Sequence, residues 1–380
     1  MKYQHVFFSL AVFTGLALLG ACNRNSNATM GSVDSATVRV DTMATPERTA
    51  VEIKPTDPVP VWGKTIKPEM QVVIDRLVAY NDPAIEKSTP TQARKLHTPT
   101  DAVKQVMKEF SVANPASQVD TSGKDIPVAG GNIHLRIYTP KTAKAPFPVI
   151  VYYHGGGFVI ANLDVYNASA QGLAEQVGAV VVSVAYRLAP EHKFPTAHND
   201  AFAAYQWTVQ NAASIQGDPK KIAVVGESAG GNLAAAVSIM ARDKKIMVPI
   251  HEVLVYPIAQ SNMNTDSYTK YADAKPLNKA MMEWFTKNYV SSMAQAKDPR
   301  ISIVNANLRG LPPTTIINAE IDPLADDGKL LEDKLKAADV KVNRKVYDGV
   351  THEFFGMVPV VPEAKEAQAY AADQLKSAFK

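Results

Sequence analysis

Apolar residues in the first third of the chain recur with the period of a helix. The segment "PEMQVVIDRLVAYND", residues 68–82, places Met70, Val73, Ile74, Leu77 and Val78 at three- and four-residue spacing. This spacing predicts a helix with one apolar face. A weaker pattern of the same period covers residues 98–110. We therefore expect residues 66–120 to form a helical region of their own.

From residue 131 onward, short apolar segments alternate with helix-forming segments. Strands are predicted at 132–139, 148–154, 179–185, 221–226, 251–259, 314–320 and 341–347, and helices at 164–177, 201–212, from 228, and at 325–338. Several of these strands are apolar almost without alternation, which indicates that both of their faces are buried. Buried strands that alternate with helices predict an α/β domain over residues 121–380, with a parallel sheet covered on both sides. Functional sites in such sheets lie beyond the carboxyl ends of the strands.

The N-terminus carries a different signal. Residues 6–19 follow Lys2, are uncharged and mostly apolar, and are too few to span a bilayer, which takes about 20 residues. We interpret residues 1–21 as a secretory signal peptide. The preceding "LLGA" and Cys22, the only cysteine, resemble the lipobox of a bacterial lipoprotein, in which the cysteine receives a diacylglycerol and a further acyl chain such as palmitate. The alternative is an ordinary cleavage site beside an incidental cysteine.

The lipobox resemblance sets an expectation for localisation. Residues 22–65 would form a lipidated cysteine and a flexible tether, because the segment is rich in Ser, Thr, Asn and Pro and has no sustained apolar period. The membrane would then be a partner through the lipid on Cys22, and the protein would lie in the bacterial cell envelope. Asn23, rather than Asp, after the cysteine favours the outer membrane.

Bulk composition excludes other classes. The chain of 380 residues is 46% apolar and carries a net charge of +3, which indicates a globular protein with ample core and gives no electrostatic reason to expect nucleic-acid binding. A single cysteine excludes an intramolecular disulfide. His154 has no metal-ligating partner three or four residues away, so no metal site is expected there. Oligomeric state is not indicated by the sequence.

Reactive chemistry is indicated first by the segment "KIAVVGESAGGN", residues 221–232. Ser228 follows a short buried strand and precedes a helix, and Gly226 and Gly230 allow the sharp turn between them. Such a turn lifts the hydroxyl above the sheet and leaves the first N–H groups of the helix unpaired beside it. The pattern predicts that Ser228 is a nucleophile.

A nucleophilic serine needs a base, and the base needs an acid to orient it. Among the eight histidines, His352 follows the last predicted strand, so it can reach a serine at the strand ends. Asp322 lies just past the strand at 314–320, where Pro323 fixes the turn, and Glu320 remains the alternative acid. The order Ser, Asp, His is that of α/β-hydrolases.

A glycine-rich loop, "YYHGGGF" at residues 152–158, follows an earlier strand. Without side chains on three successive residues, its N–H groups can approach a ligand. Two of them, together with that of Ala229, would form a three-donor oxyanion hole facing Ser228.

With these features, the chain resembles the hormone-sensitive-lipase-like esterases, the bacterial family IV of lipolytic α/β-hydrolases. The resemblance covers residues 66–380 and rests on "HGGGF", "YRLAPEHKFP", "GESAGGNLAA", "LPPTTIINAEIDPLADDG" and "GVTHEFFGM". It implies the α/β-hydrolase fold, with a mostly parallel central sheet, helices on both faces and a helical cap. It further implies Ser228, Asp322 and His352 as the catalytic residues and Gly156, Gly157 and Ala229 as oxyanion donors.

The cap implied by the resemblance consists of the N-terminal helical region and of residues 262–300. Candidate pocket residues are Phe158, Met281, Trp284 and Phe285, although each of them fits a core position equally well. The chain departs from the family at Glu353, where glycine often follows the catalytic histidine. This acid would shift the pKa of His352 or narrow the pocket.

The expected activity is hydrolysis of short to medium acyl esters through an acyl-Ser228 intermediate. This acyl-transfer chemistry requires neither a metal nor a cofactor. The same triad acting on lactones or amides is the first alternative. A non-catalytic small-molecule binding module on the same fold is the second, and the presence of all three triad residue types disfavours it.

Overall fold

In the computed structural model, which describes residues 52–142 and 144–380, the apolar segments form neighbouring strands of one eight-stranded sheet. In chain order the strands are β1 (Val119–Val128), β2 (Gly131–Pro140), β3 (Phe147–Tyr153), β4 (Val180–Ala185), β5 (Gly217–Glu227), β6 (Glu252–Val255), β7 (Thr314–Ile321) and β8 (Val342–Thr351). Their order across the sheet is β1-β2-β4-β3-β5-β6-β7-β8. The pairs β1–β2 and β2–β4 are antiparallel, and all later neighbours are parallel.

Helices precede, connect and follow these strands. They are α1 (Pro68–Ala79), α2 (Pro90–Ala93), α3 (Pro99–Glu109), α4 (Asn167–Val177), α5 (Thr196–Asn211), α6 (Ala229–Asp243), α7 (Asp266–Lys270), α8 (Lys279–Tyr289), α9 (Ala325–Ala337) and α10 (Pro362–Ala378). The start of α3 shows how local sequence sets an element, because Thr98 and Asp101 form a reciprocal capping box before an apolar stripe. Within the described ranges, no helix is both long and apolar enough to cross a bilayer.

Alternate residues of the central strands supply two separate cores. On β3, Val149 and Val151 belong to one apolar cluster, and Ile150 and Tyr152 belong to the other. Helices α4 and α10 pack together over one face, while α5 and α6 cover the opposite face. Both faces of the sheet are thus buried, which explains the lack of polar alternation and confirms the predicted α/β-hydrolase fold.

Several elements have no counterpart in the sequence prediction, among them strand β1 and helix α10. Strand β1 is an edge strand in which only Val119 and Ile126 are buried, so it shows neither a continuous apolar run nor a period of two. Helix α10 buries mainly alanines and one leucine, which gives only a weak helical period. Both elements depend on tertiary contacts more than on their own pattern.

The N-terminal helices are attached near the carboxyl ends of the strands. The Lys67 N–H donates to the Gly349 carbonyl at 2.8 Å, and the Thr65 hydroxyl donates to Glu320 Oε1 at 2.9 Å. Farther along, Arg94 donates to the carbonyls of Val159 and Ala189 at 2.8 and 2.6 Å. These contacts place the segment before β1 over the edge of the sheet where a site is expected.

Candidate active site

Ser228 lies in a strained turn between β5 and α6. Its backbone angles are φ 56° and ψ −117°, a conformation that costs a non-glycine residue about 1–3 kcal/mol. The turn is held by the Ser228 N–H, which donates to the Val255 carbonyl at 2.9 Å. At Gly226 a Cβ would lie 2.0 Å from the carbonyl oxygen of Gly230, so only glycine allows the strand to meet the helix this closely. The strain is maintained by the surrounding fold and exposes the hydroxyl at the strand end.

A chain of two hydrogen bonds links Ser228 to His352 and Asp322. His352 Nε2 lies 3.0 Å from Ser228 Oγ, and His352 Nδ1 lies 2.7 Å from Asp322 Oδ2. The other carboxylate oxygen of Asp322 accepts the Leu324 N–H at 2.8 Å, which fixes the acid. All three side chains are buried, and they come from the ends of β5, β7 and β8. The three residues named from the sequence are therefore brought together in the geometry that activates a serine.

The environment of His352 raises its pKa above the ordinary value. Burial lowers the pKa, but the charge of Asp322 and the hydrogen bond that His352 donates to it raise the pKa by more, and Glu353 and Glu227 add to this effect. An imidazole with this surrounding accepts a proton readily and stabilises the imidazolium once it forms.

Glu320, the alternative acid, is engaged elsewhere. Its two oxygens accept the Thr65 hydroxyl and the Gly349 N–H, at 2.9 and 2.8 Å. The two later acids of the same segment are also occupied, because Asp326 accepts the Ser267 N–H and Asp327 accepts the Ala259 N–H. Asp322 is the acid of this segment that contacts His352.

Three backbone N–H groups beside Ser228 are available to a ligand. In the described part of the chain, the N–H groups of Gly156, Gly157 and Ala229 have no hydrogen-bond acceptor. Gly156 and Gly157 line the same cavity as Ser228. Ala229 is the first residue of α6, and the amino end of a helix favours negative charge. The arrangement can hold an oxyanion.

The cavity that contains Ser228 has a volume of about 440 Å³. Met281 and Phe285 of α8 form part of its wall, as expected. Phe158 and Trp284 differ from the prediction and do not line it. The Phe158 ring is buried against Tyr289, with centroids 4.1 Å apart. The Trp284 indole N–H donates to the Ser88 carbonyl at 3.1 Å, so this side chain fastens α8 to the N-terminal segment.

Much of the remaining wall comes from the N-terminal helices and was not assigned from the sequence. Leu77 and Val78, the last apolar positions of the α1 stripe, line the cavity together with Leu96 and His97. Val78 is half exposed, whereas Met70 at the start of the stripe is fully buried. An apolar helix face that continues beyond its buried part, as that of α1 does at Val78, is the sequence feature that indicates a pocket wall.

Glu227, the residue before Ser228, forms a buried acid cluster with two tyrosines. The sequence did not predict a role for these tyrosines. The hydroxyls of Tyr152 and Tyr256 donate to the two oxygens of Glu227. Burial raises the pKa of Glu227 to about 7, and the charge of Glu353 adds to this. Both tyrosines stand at strand ends, and this position is the feature of the sequence that points to them.

His154 shows no sign of metal binding. Its ring is buried, and the ring atom Nδ1 lies 2.8 Å from the carbonyl oxygen of Gly155. The ring also stacks on that of Tyr186, with centroids 4.3 Å apart. Across residues 52–142 and 144–380, there is no group of three His, Cys, Asp or Glu side chains that could hold a metal ion.

Known proteins are similar to this chain in sequence and in fold. A family model described as the alpha/beta hydrolase fold matches residues 150–356. Carboxylesterase NlhH of Mycobacterium tuberculosis is 38% identical over 252 residues, which are 65% of this chain and 79% of the relative. Ethyl acetate hydrolase of Pseudomonas putida is 33% identical over 251 residues, again 65% of this chain and 79% of the relative.

A solved structure matches a larger share of the chain. The crystal structure of a thermostable esterase from Pseudomonas putida superposes with a TM-score of 0.77 at 30% identity, and the match covers 83% of this chain and 98% of that one. Together with the strained serine turn, these likenesses identify the chain as a member of the α/β-hydrolase fold family, among the hormone-sensitive-lipase-like esterases.

Proposed function

We propose that the protein hydrolyses carboxylic esters of short to medium acyl chain through an acyl-Ser228 intermediate. It is a carboxylesterase-like serine hydrolase, as its esterase relatives and structural neighbours indicate. The observation that carries the assignment of residues is the continuous hydrogen-bonded chain Ser228–His352–Asp322 at the cavity wall.

The geometry supports a two-step reaction. His352 Nε2 takes the Ser228 proton as Oγ attacks the ester carbonyl, and the N–H groups of Gly156, Gly157 and Ala229 hold the oxygen that becomes negative. As the tetrahedral intermediate collapses, the bond to the alcohol breaks and Nε2 gives its proton to the leaving oxygen. A water, deprotonated by the same Nε2, then releases the acid from Ser228 and the proton returns to Oγ.

Cavity size and lining support the acyl length. A volume of about 440 Å³ lies at the small end of ligand pockets, and its wall is formed in part by Leu77, Met281 and Phe285. The N-terminal helices and α8 both contribute to this wall, and we propose that residues 66–120 and 262–300 serve as the cap.

The deciding experiment measures hydrolysis of p-nitrophenyl esters from acetate to palmitate by the wild type and by Ser228→Ala. We expect the fastest turnover on the shorter chains and a loss of roughly 10⁴-fold or more in the variant. Ser214→Ala, at an exposed serine, serves as the matched control and keeps full activity. Equal rates for wild type and Ser228→Ala would rule out the proposed nucleophile. Matched acyl anilides measure how far the same triad acts on amides.

We also propose that a lipid on Cys22 anchors the protein in a bacterial cell envelope, with the outer membrane favoured. Cys22 lies outside the described residues, and the proposal is supported by the signal-peptide pattern and by the position of this cysteine alone. Intact-mass analysis of the protein from membranes should show the added lipid, and Cys22→Ser should release the protein from the membrane fraction. A wild type of unmodified mass would contradict the anchor.

A further inference from the structure

Glu353 occupies a backbone conformation that glycine adopts more easily. The residue follows His352 directly and has φ 70°, in the left-handed region. Despite this strain, the position carries a long acidic side chain, and that side chain forms part of the wall of the cavity that contains Ser228. Its Oε1 lies 4.0 Å from His352 Nε2.

One oxygen of this carboxylate is fixed and the other is open. The hydroxyl of Tyr166, itself a cavity residue, donates to Glu353 Oε1 at 2.5 Å. Among the described residues, Glu353 Oε2 has no hydrogen-bond donor, and the side chain remains 19% exposed. Among the described residues, His352 is the one basic side chain within 4.0 Å of the Glu353 carboxylate, and it becomes cationic only when it takes up a proton.

Two strong cations, Arg94 and Lys275, also line the cavity, but neither lies within ion-pair distance of Glu353. Arg94 forms a two-pronged ion pair with Glu191, at 2.9 and 2.7 Å, and also donates to the backbone carbonyls of Val159 and Ala189. The Glu353 carboxylate therefore presents an acceptor and a negative charge to whatever occupies the cavity.

The position of this charge relative to the reaction decides which part of a substrate meets it. In the proposed mechanism Nε2 delivers a proton to the leaving alcohol, so a group 4.0 Å from Nε2 lies beside the alcohol portion of the ester. Resting on the proposed ester hydrolysis, we propose that Glu353 is a specificity-determining residue that favours esters whose alcohol portion carries a cationic or hydrogen-bond-donating group near the ester oxygen.

A matched pair of substrates isolates the charge. Acetylcholine and the neutral isostere dimethylbutyl acetate, in which carbon replaces the quaternary nitrogen, share one shape and one acyl group. We expect the ratio of their kcat/KM values to fall roughly tenfold in Glu353→Gln, which keeps the side-chain shape and removes the charge. Asp333→Asn removes a half-exposed surface carboxylate on α9 and should leave the ratio unchanged.

The outcomes separate the inference from the function on which it rests. The inference would be overturned if Glu353→Gln left the ratio of the two kcat/KM values unchanged, including the case in which both values fall equally. Glu353 would then act only through His352. Glu353→Gly relieves the backbone strain and should lower the ratio as well, which covers the case in which Glu353→Gln fails to fold. A folded wild type that hydrolyses neither these esters nor p-nitrophenyl acetate would overturn the proposed function itself.

Discussion

Tyr256 is in direct contact with His352: the two rings lie 4.4 Å apart between centroids and are tilted by 48°. The hydroxyl of the same tyrosine donates to Glu227 Oε2, so one side chain supports the imidazole and satisfies the buried acid before the nucleophile. The base and the acid cluster beneath Ser228 are thus parts of one packed unit.

Tyr256→Phe should keep the ring contact and remove one of the two hydroxyl donors to Glu227. Because a buried carboxylate oxygen would lose its partner, we expect the free energy of unfolding to fall by about 1–3 kcal/mol in urea titrations. Tyr370→Phe is the control, since its hydroxyl has no hydrogen-bond partner among the described residues. Equal stability of Tyr256→Phe and wild type would show that Glu227 does not depend on this donor.

The pH profile of kcat/KM should report His352 as the base. His352 must be neutral to accept the Ser228 proton, so activity rises with pH, and its raised pKa places the midpoint above the ordinary 6.5. Asp322→Asn removes the main group that raises this pKa, so the midpoint should move to lower pH and kcat should fall roughly 10⁴-fold. A wild-type midpoint below the ordinary value would contradict the assignment.

Gly157→Ala should damage the oxyanion loop. The backbone φ is 59°, and a Cβ would lie 2.3 Å from the Phe285 ring, so the loop must shift and the N–H group moves with it. We expect kcat/KM for p-nitrophenyl acetate to fall roughly 10²-fold or more, with partial recovery when Phe285→Ala removes the clash. Gly178→Ala, with φ 70° and no atom within 4 Å, controls for backbone strain alone and should keep full activity.

Glu252 on β6 offers a test of stability away from the site. It is fully buried, its Oε1 accepts from Thr314 at 2.8 Å, and its Oε2 has no partner among the described residues. Burial raises its pKa to about 7. The folded state therefore keeps a proton that the unfolded state releases near the ordinary value of 4.5, and this group destabilises the wild type as pH rises through that interval.

Glu252→Gln removes this titration. The free energy of unfolding of the variant relative to wild type should increase by up to ~3 kcal/mol as the pH is raised from about 4 to about 8. Urea titrations at several pH values measure it, and Asp373→Asn, at an exposed carboxylate, is the control. A difference that stays constant with pH would show that Glu252 is not held protonated by burial.

The sequence predicted Ser228 and His352 because local pattern alone specifies a strand, a glycine turn and a helix, or a strand followed by a loop. Asp322 was preferred to Glu320 from the sequence, but what Glu320 does instead could be seen only in the fold. The two acids lie two residues apart on one segment, and only the packing of the N-terminal segment shows that Glu320 is occupied by Thr65.

The pocket was harder to predict for a related reason. Composition does not indicate which side of α8 faces the substrate, so Trp284 and Phe285 were equally good candidates for the pocket wall. In the structure Phe285 lines the cavity, whereas Trp284 donates a hydrogen bond to Ser88 instead. Strand β1 was missed because an exposed edge strand has no apolar pattern to detect.

The position of His352 in the sheet has a consequence for how the enzyme fails. The base follows β8, an edge strand that pairs with β7 alone in the sheet of the described residues, whereas Ser228 follows the interior strand β5. Fraying of that edge would separate base from nucleophile while the other strands remain paired. On heating, activity would then be lost at a lower temperature than the one at which the whole domain unfolds. The temperature of inactivation would report the local stability of the β8 edge.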